Sequence, residues 1–271
     1  MKVGILPLAR ATFDVALAEE KLQLMLAALD RSSHQILGPR SLLFDANTTT
    51  SAMQELKAEG IDHLLILQVT FTDAALTVTA ATNFQQPMSI WAIKEPRAGE
   101  RLRLNSFCGL NLASHALALR DREFSWLYDD PIDGIDAQLG ALFAGNRRAG
   151  HLQAKASDNY ASKRGKSIAE NLKSRRIAKI GAHPDGFDTC AYSATELANL
   201  SGVTVDVLEL NNLFATASAA SAADTKSVRD IARLSMSDLN DVDQDQLDKS
   251  LRLKAGLDQL RSDGRYDAFA I

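Results

Sequence analysis

Only two cysteines, Cys108 and Cys190, occur in the 271 residues, and they stand far apart. A disulfide framework is therefore excluded as the organising device of the fold. No stretch approaches the roughly 18 uncharged apolar residues of a membrane span, so no membrane partner is expected. The opening Met1-Lys2-Val3-Gly4-Ile5 runs straight into a strand-like segment without the apolar core of a secretory signal, and the expected location is cytoplasmic. Basic excess is missing too. Thirty Lys and Arg stand against 34 Asp and Glu, for a net charge of −4, which sets nucleic acid aside as the main partner. There is no Walker A sequence, no GxGxxG, no CxxC and no HExxH. Among the five histidines (His34, His63, His115, His151 and His183) no two have metal-ligand spacing, so no self-contained metal site is expected in this chain.

What is there is an ordinary globular mix, 46% hydrophobic and 24% charged, long enough for about two domains. Val3–Leu8, His34–Leu37, Leu64–Leu67, Met88–Ile93 and Phe124–Tyr128 read as strands. Between them run helical segments: Leu22, Met25, Leu26 and Leu29 share one face, Asp14 can cap that helix, Thr50–Glu59 is closed by Gly60, one helix starts near Asp73, and another spans Ser106–Leu119. Leu64-Leu65-Ile66-Leu67 is continuously apolar, as expected of a parallel strand covered on both faces. Alternating strands and helices favour a doubly wound α/β domain. This first domain is assigned to residues 1–145, a linker or crossover helix to 146–174, and a second α/β domain to 175–271. Gly145–Lys166, rich in Lys and Arg, reads as an exposed crossover, with phosphate binding as its functional alternative. Ser167 and Glu170 have capping-box spacing. The pattern then restarts with strands at Arg176–Gly181 and Val203–Leu208, a helix over Thr195–Leu200 and a late helix through Leu247, Leu251, Leu257 and Leu260. Ala215–Ala223, with no large side chain, reads as a mobile loop. The closing strand-like YDAFAI stops where a functional loop would begin, and the expectation is that the chain is a fragment of a longer polypeptide.

Three segments that follow strands are expected to converge at one edge of the first sheet: Pro7–Arg10, Gln68–Asp73 and Leu104–Gly109. They offer a guanidinium, an amide and hydroxyls, groups suited to a polyhydroxylated ligand, and no acid–base or nucleophilic constellation. Arg10, Gln68, Thr70 and Asn105 are the candidate substrate contacts. Each has a plainer reading: Arg10 as a solvated loop residue, Thr72 or Asp73 as a helix N-cap, Asn105 and Ser106 as caps. Cys108, near a helix start, is either a thiol of lowered pKa or a buried inert one. His115 is expected to be packed or hydrogen-bonded within its helix. His183–Asp188, with Asp185-Gly186 as a turn signal, serves either as a turn or as a binding loop.

The stretches VGILPLARATFDVALAEE (3–20), LLILQVTFTDAALTV (64–78), SIWAIKEPRAGERLRLNSFCGLNLASHAL (89–117), RIAKIGAHPDGFDTC (176–190) and GVTVDVLEL (202–210), with the closing YDAFAI, lie in one order along the chain. Together they resemble the amino-terminal part of the L-fucose isomerase-like and L-arabinose isomerase-like sugar isomerases. The resemblance implies two Rossmann-like (flavodoxin-like) parallel-sheet domains here and a third, catalytic domain missing from this chain. It implies an aldose–ketose isomerase that uses Mn²⁺, held by carboxylates and a histidine beyond the strand that YDAFAI resembles, with a monosaccharide as substrate. It also implies a homo-oligomer, hexamer or trimer, in which Arg10 is the sugar-contacting arginine lent to a neighbouring subunit. Gln68 and Thr70 fall on the second substrate-side loop, whereas Asn105 is added on geometric grounds alone. The chain alone is then expected to be inactive. Two competing readings are a non-catalytic cytoplasmic sugar-binding module and a racemase using Cys108 and Cys190.

Overall fold

Five short apolar runs become the strands of one sheet: β1 (Lys2–Leu8), β2 (Gln35–Leu37), β3 (His63–Gln68), β4 (Met88–Ala92) and β5 (Ser125–Tyr128). In the computed structural model, which describes residues 1–97, 99, 101–146 and 159–271, they pair in parallel in the order β2-β1-β3-β4-β5. That order is the flavodoxin-like doubly wound one, and its topological switch point lies between β1 and β3. Helices α1 (Val15–Asp30), α2 (Ala46–Glu59), α3 (Ala75–Asn83), α4 (Ser106–Ala118) and α5 (Ile135–Phe143) complete this unit.

Alternation inside the apolar runs builds two cores. Leu65, Leu67, Val3, Ile5 and Trp91 face one side and pack with Leu22, Met25, Leu26 and Leu29 of α1 and Leu139 and Leu142 of α5. Leu64, Ile66, Leu6, Leu8 and Ile90 face the other, against Met53 and Leu56 of α2, Ala80 of α3 and Leu110 and Leu117 of α4. A strand with successive side chains on opposite faces must be apolar at every position to serve both, hence the unbroken run in β3. Asp14 caps α1, accepting from the Leu17 N–H at 3.0 Å, and Gly60 ends α2 in the left-handed region at φ 67°. α2 starts four residues before the expected Thr50, because Asp45 caps it and accepts from the Thr48 N–H at 2.9 Å.

The chain divides into two compact units, Met1–Leu152 with Pro184–Ala191 and Gln153–His183 with Tyr192–Ile271. The second contains α6 (Asn159–Leu172), β6 (Arg176–Ile180), α7 (Ala194–Ser201), β7 (Thr204–Leu208), α8 (Leu210–Ala219), α9 (Ala222–Ala232), α10 (Gln244–Gly264) and β8 (Ala268–Ala270). Its strands are parallel in the order β7-β6-β8.

Several expectations are corrected here. Ala215–Ala223 is not a loop. It is the end of α8 and the start of α9, broken at Ala220-Ser221, where Ser221 and Asp224 form a capping box. Alanine is the best helix former, and the small side chains have a packing use: a Cβ on Gly256 of α10 would lie 2.9 Å from the Ala217 amide nitrogen, so α8 and α10 approach closely. Ser167 and Glu170 lie inside α6 rather than at its start. Of the expected crossover Gly145–Lys166, residues 147–158 lie outside the described residues, while Asn159–Lys166 is helical. Pro184–Ala191 belongs to the first unit.

Candidate functional site

The residues that leave β1 and β3 at their carboxyl ends flank the switch point, where a doubly wound sheet opens a crevice. The Arg10 N–H donates to Thr70 Oγ1 at 2.8 Å, which joins the two loops. The Arg10 guanidinium lies 5.5 Å from the centre of the Phe71 ring, and its Nη2 donates to Asp73 Oδ2. Its side chain is still 38% exposed, so Arg10 is neither a free solvated residue nor a sealed one. Phe71 packs between Phe13 and Phe187, with ring centres 5.8 and 6.0 Å away. Pro184–Asp188 forms a turn against this loop: Gly186 has φ 79°, and its carbonyl accepts from the Ala74 N–H at 3.0 Å. Neither Thr72 nor Asp73 is the N-cap of α3, which is Ala74, although Asp73 Oδ1 accepts from the Ala75 N–H at 3.0 Å.

Gln68 and Thr70 take a different place from the one expected of ligand contacts. Gln68 is 0% exposed and Thr70 1%. Gln68 Nε2 donates to the Thr70 carbonyl at 2.7 Å and to Thr72 Oγ1 at 2.9 Å. A carbonyl can only accept, which fixes the orientation of the amide and leaves Gln68 Oε1 buried with no partner among the described residues. Its main-chain carbonyl accepts from Ser106 Oγ, which in turn accepts from the Ile93 N–H at 3.1 Å. α4 crosses directly over this amide. A Cβ on Gly109 would lie 2.7 Å from Gln68 Nε2, so a larger residue would have to displace the buried Gln68 amide. Gln68 and Thr70 hold the loop from beneath, whereas Arg10 reaches solvent.

The third loop, between β4 and α4, is drawn back to the first two through main-chain bonds. The Phe71 N–H donates to the Leu104 carbonyl at 2.7 Å, and the Asp14 N–H to the Arg103 carbonyl at 3.0 Å. Arg103 Nε lies 2.9 Å from Asp14 Oδ2. The backbone N–H of Leu17, and then Arg103, hold the Asp14 carboxyl below the usual carboxylate range. Asn105 is the N-cap of α4 at φ 52°, ψ 30°, and its side chain makes no capping bond. Its backbone N–H donates at 2.8 Å to Glu95 Oε2, a residue with no motif signature in the sequence.

The remaining candidates separate. His115 is exposed rather than packed, because Leu110, Ala113 and Leu117 already fill the inner face of α4. Cys108 is partly buried on α4 and Cys190 exposed in a 3₁₀ turn (Asp188–Cys190), both reduced. His63 lies at the opposite, amino end of the sheet. It is 3% exposed, with Nε2 2.8 Å from Ser89 Oγ and its ring edge-on to Phe143. Burial, and secondarily the nearby His34, lowers its pKa to about 4. It lines a 440 Å³ cavity with Arg122 and Phe143. Among the described residues no three His, Cys, Asp or Glu side chains gather in a way that fits a metal ion. No helix of the described residues is long and apolar enough to cross a membrane.

Comparison with known proteins bears on the same residues. A family model described as the fucose/sulfoquinovose isomerase amino-terminal domain matches residues 4–144. Sulfoquinovose isomerase of Priestia megaterium (strain ATCC 12872 / QMB1551) is 27% identical over 208 residues, covering 77% of this chain and 42% of that protein. That of Alkalicoccus urumqiensis is 27% identical over 225 residues, 80% of this chain and 44% of the relative. That of Clostridium sp. (strain MSTE9) is 26% identical over 267 residues, 97% and 55%. The chain spans about half the length of the curated relatives it matches. With a flavodoxin-like first unit and a family match over just over half of its residues, the chain belongs to the fucose/sulfoquinovose isomerase family, as an amino-terminal portion of it.

Proposed function

We propose that this chain supplies the substrate-side loops and assembly surface of a metal-dependent aldose–ketose isomerase that works in the cytoplasm as a homo-oligomer, hexamer or trimer. The observation that carries the proposal is the position of Arg10: half-exposed, at the switch point, on the loop the family match covers. Moving a carbonyl between two carbons needs a base that carries one proton across and a cation that stabilises the enediolate oxygens. Oxygen and imidazole ligands suit Mn²⁺, and in this proposal they come from residues outside this chain. What this chain's residues do is bind and orient the sugar. Among the described residues Arg10 commits only Nη2, to Asp73, so its other N–H donors are left for sugar oxygens or for a sulfonate such as that of sulfoquinovose. The Asn105 amide is the second contact, with Gln68 and Thr70 shaping the loop beneath.

The test is a calorimetric titration of the chain with sulfoquinovose and, separately, L-fucose. At least one of them is expected to bind, and Arg10→Ala is expected to weaken it roughly ten-fold or more, the value of a charge-assisted hydrogen bond. The folded first unit should survive this change, since a pair as exposed as Arg10–Asp73 adds little stability. Unchanged affinity in Arg10→Ala would remove Arg10 from the site, and absence of binding by the unaltered chain would overturn the reading.

A further inference from the structure

Three consecutive backbone N–H groups, those of Arg103, Leu104 and Asn105, converge on the carboxylate of Glu95. Oε1 accepts from Arg103 and Leu104, and Oε2 accepts from Leu104 at 3.0 Å and from Asn105 at 2.8 Å. Such a set of amides, all aimed at one point, is an anion-binding concavity, and here a side chain of the same loop fills it. Glu95 is itself anchored, its N–H 3.5 Å from the Tyr128 hydroxyl at the end of β5. The carboxylate therefore closes the excursion between β4 and α4 at its base.

The geometry has a consequence one residue further on. Asn105 stands in the left-handed region, which asparagine enters more readily than other non-glycine residues but still at a cost that its surroundings offset. Its N–H is held by Glu95, while the chain on either side is held by the Phe71 bond to Leu104 and by the burial of Ser106 under Gln68. With both neighbours fixed, the side chain of Asn105 makes no capping bond and stays half-buried at the start of α4. We infer that Glu95 is a positioning residue for the sugar site: its carboxylate holds Asn105 in the left-handed conformation that keeps the side-chain amide free for the ligand. This rests on the proposed sugar-binding role of these loops.

Glutamine is the informative replacement. It keeps the size of Glu95 but offers one acceptor oxygen where two are used, and it would turn an NH₂ toward an N–H. In the full chain, Glu95→Gln is expected to weaken binding of the sugar that the unaltered chain binds, sulfoquinovose or L-fucose, about ten-fold, close to the effect of Asn105→Ala. The decisive readout is the double variant Glu95→Gln/Asn105→Ala. If Glu95 acts through Asn105, adding Glu95→Gln to Asn105→Ala weakens binding by no more than about two-fold, whereas an independent structural effect would multiply the two losses. Glu95→Asp, which keeps both oxygens on a shorter stem, should recover part of the affinity. A Glu95→Gln protein that binds the sugar as tightly as the unaltered chain, or a fully multiplicative double variant, overturns the inference while leaving the sugar site intact. Failure of the unaltered chain to bind either sugar instead overturns the sugar-binding reading on which it depends.

Discussion

His63 enters β3 at its amino end with its ring covered, and there the hydration that would stabilise an imidazolium is lost. Its folded pKa of about 4 lies below the ordinary 6.5, so the unfolded chain takes up the proton first as pH falls. Stability is accordingly full above about pH 6.5, declines between pH 6.5 and 4, and has lost the whole contribution below that. The expected loss is about 3 kcal/mol. Urea midpoints measured from pH 7.5 to 4.5 should fall for the unaltered chain and stay flatter for His63→Gln, which cannot titrate. Equal slopes would show that His63 does not carry the effect. The capping carboxylates, with pKa values held below the usual range, lose their contribution only at lower pH, so the two windows separate. None of this was legible at His63 in the sequence, where it is one polar residue before an apolar run. Its burial comes from Phe143 and Ser89, far away in the chain.

The elements themselves were largely readable because their signals are local. The Leu22-Met25-Leu26-Leu29 spacing, Asp14 as a cap and Gly60 as a stop each act within one or two turns, and each stands where the spacing placed it. In Ala215–Ala223 the lack of large side chains suggests a loop, although small residues are what a close crossing of α8 and α10 requires. The apolar neighbours of His115 suggest a packed or hydrogen-bonded side chain, but α4 has one inner face and it is already full, and His115 is exposed. The same helix supplies a prediction. Gly109 is the point where α4 crosses the Gln68 amide, and Gly109→Ala would drive a methyl group into Nε2. Although alanine favours helix, the clash should destabilise the first unit by about 1–3 kcal/mol, the cost of overpacking. Hydrogen exchange should also show faster opening at Thr70–Thr72. A stabilised protein would mean that Gln68 can swing away, and that it does not hold the loop.

In the whole molecule, the strand order places the site. Two loops separated by some 60 residues, Arg10 and Thr70, meet because β1 and β3 are neighbours around the switch point. As part of the proposed assembly role, the chain is expected to sediment at a multiple of its 29.4 kDa mass, and a monomer at tens of micromolar would count against that role. From the sequence by itself came the α/β class, the repeating strand and helix pattern, the loops that matter and the resemblance borne on their residues, since all of these are written in periodicity and local chemistry. Only the tertiary structure decided which residues of those loops reach solvent. Arg10 and Asn105 remain accessible, whereas Gln68 and Thr70 are drawn under the loop and Glu95 is bound to three backbone amides. The reason is physical: a side chain's type states what it can bond, and only the packing around it determines whether those bonds are already made within the fold.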